Sequence, residues 1–417
     1  MTKKYTNDTG KSVCGAALVA SMTGLGMLGL PTTSVAEAAI TEAITGGKVS
    51  GDFRYRFEMV DQDNPAREKE AGASTLRSRL GYGTGDYQGF GAYLEFEDIT
   101  VIGEERFDST VNGLGQYPVV ADPETTEVNQ AYLSYSGIPD TTAKFGRQRI
   151  ILDNARFVGN VGWRQNEQTY DAFTLKNTSL PDTTLFYGYV SNVNRIFSDE
   201  SPVGNTNLEA HLLNASYKGL GFATLTGYAY LLDFVDAPSA SNQTLGVRFA
   251  GGNDLSEGFK LLYAVEFAQQ SDYQDGDSDI DADYSLFELG AKFSGVTAKV
   301  GLETLSGDGE PGSGFSTPLA TLHAFNGWAD QFLGTPADGL EDLYVSIGGK
   351  LSGVKLLAVF HDYSSDNGST DYGSEFGLLA AKKFGKHYTV LAKYASYSAD
   401  EHNDDIDKLW LSGQLKF

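Results

Sequence analysis

Charged residues recur in pairs two positions apart: Arg54 and Arg56, Arg77 and Arg79, Glu95 and Glu97, Arg147 and Arg149. In an extended chain that spacing puts both members of a pair on one face. A guanidinium is a rigid fork of donors that matches a carboxylate bidentately. A wall of such pairs is therefore equipped for two jobs. It can bind its own carboxylates in a cross-strand ion-pair network, or it can offer surplus positive charge to an anionic solute. Arg156 and Arg164 add two guanidiniums inside the densest polar stretch of the chain, 145–171. Residue types alone leave both jobs open.

The elements that must carry these pairs are strands. Alternating apolar and polar positions recur in about eighteen segments, each near the ten residues that a tilted membrane strand needs. Phe53, Tyr55 and Phe57 alternate with Arg54 and Arg56; Val296, Ala298, Val300 and Leu302 alternate with Thr297, Lys299 and Glu303. The connections alternate between short and long. Tight turns such as Gly137–Asp140, Gly219–Gly221 and Gly385–His387 carry hairpin residues. Between them lie longer polar loops near 60–72, 102–125, 151–165, 192–205, 233–240, 271–281, 307–340, 365–372 and 399–405. Short periplasmic turns and long extracellular loops are the asymmetry of a transmembrane antiparallel β-barrel. The expected fold is thus all-β, a barrel of about eighteen strands closed on itself. A charged side chain facing lipid near mid-membrane costs about 2–4 kcal/mol, so the arginine and glutamate pairs are expected on the lumen wall. Segment 141–150 fits less well, because Phe145 shares the parity of Arg147 and Arg149. A bulge or an inward aromatic would reconcile them.

Both chain ends agree with export to a membrane. Lys3, Lys4 and Lys11 precede an apolar run from Cys14 to Leu30, and Ala36-Glu37-Ala38 supplies a small-residue cleavage site. Residues 1–38 are expected to be a signal peptide, with the barrel domain over 39–417. Cys14 is the only cysteine, so the mature chain carries no thiol chemistry. At the other end Leu409, Leu411, Gly413, Leu415 and Phe417 share one face, and Lys408, Trp410, Ser412, Gln414 and Lys416 the other. This strand resembles the C-terminal signature handed to the barrel insertion machinery, and it is expected to close the cylinder against the strand bearing Phe53. Mean hydropathy is slightly negative and nothing after Leu30 could cross a bilayer as a helix. The formal charge of −24 argues against nucleic acid as a partner.

The stretch from Phe145 to Asp171 contains Gly-Arg-Gln, then Asn-Ala-Arg-Phe-Val-Gly, then Trp-Arg and Tyr-Asp. It resembles the signature of the alginate-export-like outer-membrane porins, whose strand rhythm is also similar. That resemblance implies an eighteen-stranded barrel in the bacterial outer membrane, with an arginine-rich lumen passing an anion. Within it, 151–165 is expected to fold inward and bring Arg156 and Arg164 to a constriction; the alternative is an external cap held by Trp163. Loop 307–340 could plug the pore, cap it or bind a partner.

Acidic charge gathers in the loops, above all in 272–283, where aspartate stands at six positions. The glycine and closing glutamate of a calcium loop are misplaced there, so a solvated surface loop is expected rather than a metal site. Five histidines show no arrangement that would define a nucleophile or an activated water. The chain reads as a channel without catalytic residues, cofactor or metal. Its expected partners are outer-membrane lipid and lipopolysaccharide, the insertion machinery and an anionic solute. The rival readings are a nonspecific porin, in which the charges only stiffen the wall, and a plugged structural or adhesive barrel.

Overall fold

The computed structural model describes residues 33–417, with side chains from Glu37 onward. The expected signal peptide, 1–38, lies outside the described residues except for its last positions, which enter a helix, α1 (Thr33–Thr45). Eighteen strands follow. The first half comprises β1 (Lys48–Gln62), β2 (Ala71–Gly83), β3 (Phe90–Val101), β4 (Thr125–Tyr135), β5 (Thr141–Gln148), β6 (Thr169–Asn177), β7 (Thr183–Asn194), β8 (Asn205–Tyr217) and β9 (Ala223–Phe234). The second comprises β10 (Asn242–Ser256), β11 (Phe259–Asp272), β12 (Asp281–Phe293), β13 (Val296–Leu305), β14 (Leu340–Leu351), β15 (Val354–Ser364), β16 (Asp371–Phe384), β17 (Tyr388–Ala399) and β18 (Ile406–Lys416).

Each strand pairs antiparallel with its neighbours in sequence, and β1 pairs with β18 to close the barrel. Phe53 lies opposite Leu415, and the rings of Phe53 and Phe417 stack at 6.4 Å. Closure leaves no sheet edge, which a lipid environment requires because it offers unpaired backbone groups no water. The outer face carries apolar residues such as Leu289, Ile347 and Leu411, all exposed on the isolated chain. The inner face is mostly polar from β1 to β4, whereas β8, β9 and β12 turn large apolar and aromatic side chains inward, where Leu208, Leu212, Tyr228, Tyr230 and Tyr284 are buried.

What buries them is loop. The chain after β5 (149–168) and the chain after β13 (306–339) both descend into the lumen and dock on each other. Val158 and Leu319 form a parallel bridge, and Thr321 N donates to Ala155 O at 3.0 Å. Phe157 lies 5.1 Å from Tyr228 and 5.2 Å from Tyr284, ring to ring, so the apolar wall and the loops share one core inside the cylinder.

Candidate pore constriction

The arginine pairs on β1 and β2 point inward, as parity requires, yet they do not face open space. Arg54, Arg56, Arg77 and Arg79 are each buried. Loop 149–168 lies over them, and they grip its backbone. Arg54 donates to Gly162 O at 3.1 Å and also to Arg164 O; Arg56 donates to Trp163 O; Arg79 donates to Gln165 O at 3.2 Å. Four successive carbonyls, 162–165, find their donors in the ladder. An irregular segment inside a barrel must have its carbonyls satisfied somehow. Guanidiniums, with five donors each, can satisfy carbonyls and carboxylates together.

Carboxylates balance the charge. Arg77 pairs with Asp52 at 2.8 Å, Arg79 with Glu97 and with Glu167 at 3.2 Å, and Arg56 with Asp122 at 3.5 Å. Glu95 lies within 3.6 Å of Arg149 and accepts from Asn129 and Gln130. The expected surplus of free arginine in this wall is therefore corrected: the ladder is committed to the loop and to its own carboxylates.

Arg147 is a second correction. It stands opposite Ala131 and Asp171 on the outward face, with Phe145, which is 68% exposed. The odd positions of β5 all face out until the strand ends at Gln148. Beyond that the alternation stops, and Arg149 reaches inward to Glu167 at 2.7 Å. Thus Arg149 meets the lumen through irregular backbone, and Arg147 does not meet it at all. Gly146, just before Arg147, sits at φ +120, where an added Cβ would come within 2.3 Å of Ala131 O.

Arg156 and Arg164 occupy the loop itself. Arg164 is held between Glu58 at 3.1 Å and Asp330 at 3.1 Å, and Glu58 and Asp330 come from β1 and from loop 306–339. Arg156 donates to Glu303 at 2.7 Å and to Asn326 at 3.1 Å; Asn326 donates in turn to Glu303 at 2.7 Å and Asp342 at 3.1 Å. This layer separates two cavities. The outer one, about 930 Å³, is lined by Arg156 and Asn326 below and by Asp277, Asp279, Asp308 and Glu310 above. The inner one, about 840 Å³, opens toward the periplasmic turns and is lined by Glu303 and Asn326 above and by Arg248, Lys292, Lys299, Lys350 and Lys355 around its wall.

Those lysines were not singled out from the sequence. Lys299 pairs with Glu288 at 2.9 Å and Arg248 with Glu266, but among the described residues Lys292, Lys350 and Lys355 have no ion pair. Lys350 stands directly opposite Lys355, a like-charge cross-strand pair. Such a pair is destabilising without a counter-charge. Its signal in the sequence was the shared inward parity of isolated lysines on β12, β13, β14 and β15, which shows only once the register is known.

A further junction joins both loops to the wall. Lys393 on β17 places its ammonium 4.3, 3.9 and 5.4 Å from the ring centres of Trp163, Trp328 and Trp410, which are all three tryptophans of the chain. It also donates to His323 Nε2 at 2.7 Å, while His323 Nδ1 donates to Asp330 at 2.7 Å. An ammonium can only donate and a carboxylate only accept, which fixes the neutral Nδ1–H tautomer. Burial, with the Lys393 charge alongside, pushes the His323 pKa down to about 3 despite Asp330.

A closed eighteen-strand barrel, inward loops and a charged layer between two vestibules describe a channel architecture. The alginate export family model matches residues 47–327. The chain belongs to the alginate export family. No curated protein matches it. Among solved structures it is similar to OccK9 (OpdG) of Pseudomonas aeruginosa, with TM-score 0.71 and 15% identity over 90% of this chain and 100% of the other. OccAB4 of Acinetobacter baumannii gives TM-score 0.70 and 14% identity over 89% and 98%. P. aeruginosa OpdK with vanillate gives TM-score 0.68 and 14% identity, again over 89% and 98%. The resemblance read from 145–171 and the eighteen-stranded barrel expected from alternation are both borne out. This alginate export family member is an outer-membrane β-barrel whose fold matches those solved structures.

Proposed function

We propose that the chain is a channel for small or oligomeric organic anions. The observation that carries this is the inner vestibule: three lysines without ion-pair partners among the described residues, two of them directly opposite each other, line about 840 Å³ of space below the constriction. Arg156 lines the cavity above and holds Asn326, which borders both cavities. Basic groups along a water-filled wall form a shallow multi-site track, weak enough to release what it binds. The structure of OpdK with vanillate, an aromatic carboxylate, supports the same chemical class on a similar barrel. No covalent step is required, and the direction of flux follows the solute gradient.

The test is planar-bilayer conductance with a KCl gradient. The unaltered channel is expected to prefer chloride, and Lys350→Gln with Lys355→Gln to lose most of that preference. Vanillate or a short oligouronate added to one side should block the current of the unaltered channel more than that of the double variant. A cation-selective pore indifferent to both substitutions would overturn the proposal and leave a nonspecific porin; no conductance would leave a plugged barrel.

A further inference from the structure

The wall is not equally tall all round. β5 has 8 residues and β6 has 9, against 15 for β10 and 14 for β16. A strand needs about 9–11 tilted residues to cross the hydrocarbon. Six positions above the periplasmic end, β3, β12 and β15 present Phe96, Phe287 and Phe360 outward (counting from Phe90, Phe293 and Val354). At the same count β5, β6 and β8 present Arg147, Asp171 and His211 (counting from Thr141, Asn177 and Tyr217).

The pattern of β8 is inverted. Its buried inward residues are Leu208, Ala210 and Leu212, while Glu209 and His211 face out. Arg147 and Asp171 pair at 2.9 Å and remain about one-third exposed. His211 Nδ1 meets Tyr187 Oη at 3.0 Å, and Glu209 has no side-chain partner among the described residues. Below them Leu133, Phe145 and Leu213 offer exposed apolar surface. Ion-pairing groups at this depth are costly against acyl chains, so lipid is a poor cover for this face.

We propose that the outer face of β5–β8 is an interface between two copies of this chain. Whatever covers it must itself lie in the membrane, must bring apolar surface for Phe145 and Leu213, and must answer both signs of charge. Lipopolysaccharide phosphates would suit Arg147 but would be repelled by Asp171 and Glu209. A second copy meets every condition. In a two-fold contact the patch opposes itself, so the unpartnered Glu209 of one copy can lie against Arg147 of the other. The charges that lipid disfavours then become the contacts that set the register.

The experiment uses the chain exported to the outer membrane in a Cys14→Ser background, with one new cysteine. Ser191→Cys sits on the outer face of β7 beside Asp171; Ser396→Cys sits on the outer face of β17 across the barrel. Oxidation in intact membranes with copper phenanthroline should give a dimer through Ser191→Cys and none through Ser396→Cys. Particle mass in lipid nanodiscs should be that of two chains. Adding Arg147→Glu, or Glu209→Lys should the first variant fail to fold, is expected to cut the cross-linked product by about tenfold through like-charge opposition. A monomeric mass without a Ser191→Cys cross-link overturns the proposal in favour of a locally thinned bilayer. A cross-link to a different protein, or one that forms equally well through Ser396→Cys, overturns it too.

Discussion

At the scale of single residues, the arginines act mainly as multidentate donors, and the most consequential is Arg164. It is buried between Glu58 and Asp330, and the carboxylates around it hold its pKa above the usual guanidinium value despite burial. Arg164→Ala would strand Glu58 away from water without a partner, while Asp330 keeps Lys408 and His323. A loss of about 3–5 kcal/mol in unfolding free energy is expected, because breaking a buried pair leaves an uncompensated charge. Urea unfolding of the refolded barrel followed by tryptophan fluorescence measures it. Acid should loosen the same region. His323 is held down to about 3 by burial, so an unfolded loop binds its proton more readily below pH 6.5. Glu167 is held down to about 2 by Arg79 and Arg149 against the opposing effect of burial, so its stabilisation is present above pH 4.5 and fades as pH falls toward 2. Both effects have the same sign. Stability should decline from pH 6.5 downward and fall more steeply below 4.5, and His323→Gln should remove the upper part of that decline.

At the scale of elements, loop 149–168 is a lining rather than a lid, and β1 and β2 supply its fastening. The notion that 151–165 folds inward follows from its polarity and from the barrel around it. That it would consume the arginine ladder does not follow, because carbonyl acceptors are invisible in a list of side chains. Arg54→Ser with Arg56→Ser removes the donors to Gly162, Trp163 and Arg164 carbonyls. Single-channel conductance should then rise and become noisier, with little change in ion preference, since those charges face the loop. An unchanged conductance would show that loop 306–339 and the tryptophans around Lys393 suffice to hold the lining. The misplacement of Arg147 belongs to this scale too: alternation holds through Phe145 and Arg147, both outward, and the end of β5 at Gln148 separated Arg147 from Arg149, two residues of equal parity.

At the scale of the whole molecule, charge is polarised along the axis. Asp277, Asp279, Asp308 and Glu310 border the outer cavity, and Lys292, Lys350 and Lys355 the inner one. A pore with fixed charge of opposite sign at its two mouths should rectify current when all barrels insert in one orientation. That rectification should be clear at 0.1 M KCl and nearly vanish at 1 M, as the screening length falls from about 10 Å to about 3 Å. The sequence by itself determined the closed barrel, its strand number and the inward faces of β1, β2, β3 and β18. Period-two alternation and the cost of charge in lipid act on every strand independently and need no knowledge of neighbours. Only the tertiary structure decided which inward charges remain free. That depends on which loop descends on which strand, on backbone carbonyls as well as side chains, and on a register that brings Lys350 against Lys355. Contacts of that kind join residues distant in the chain, and no local pattern encodes them.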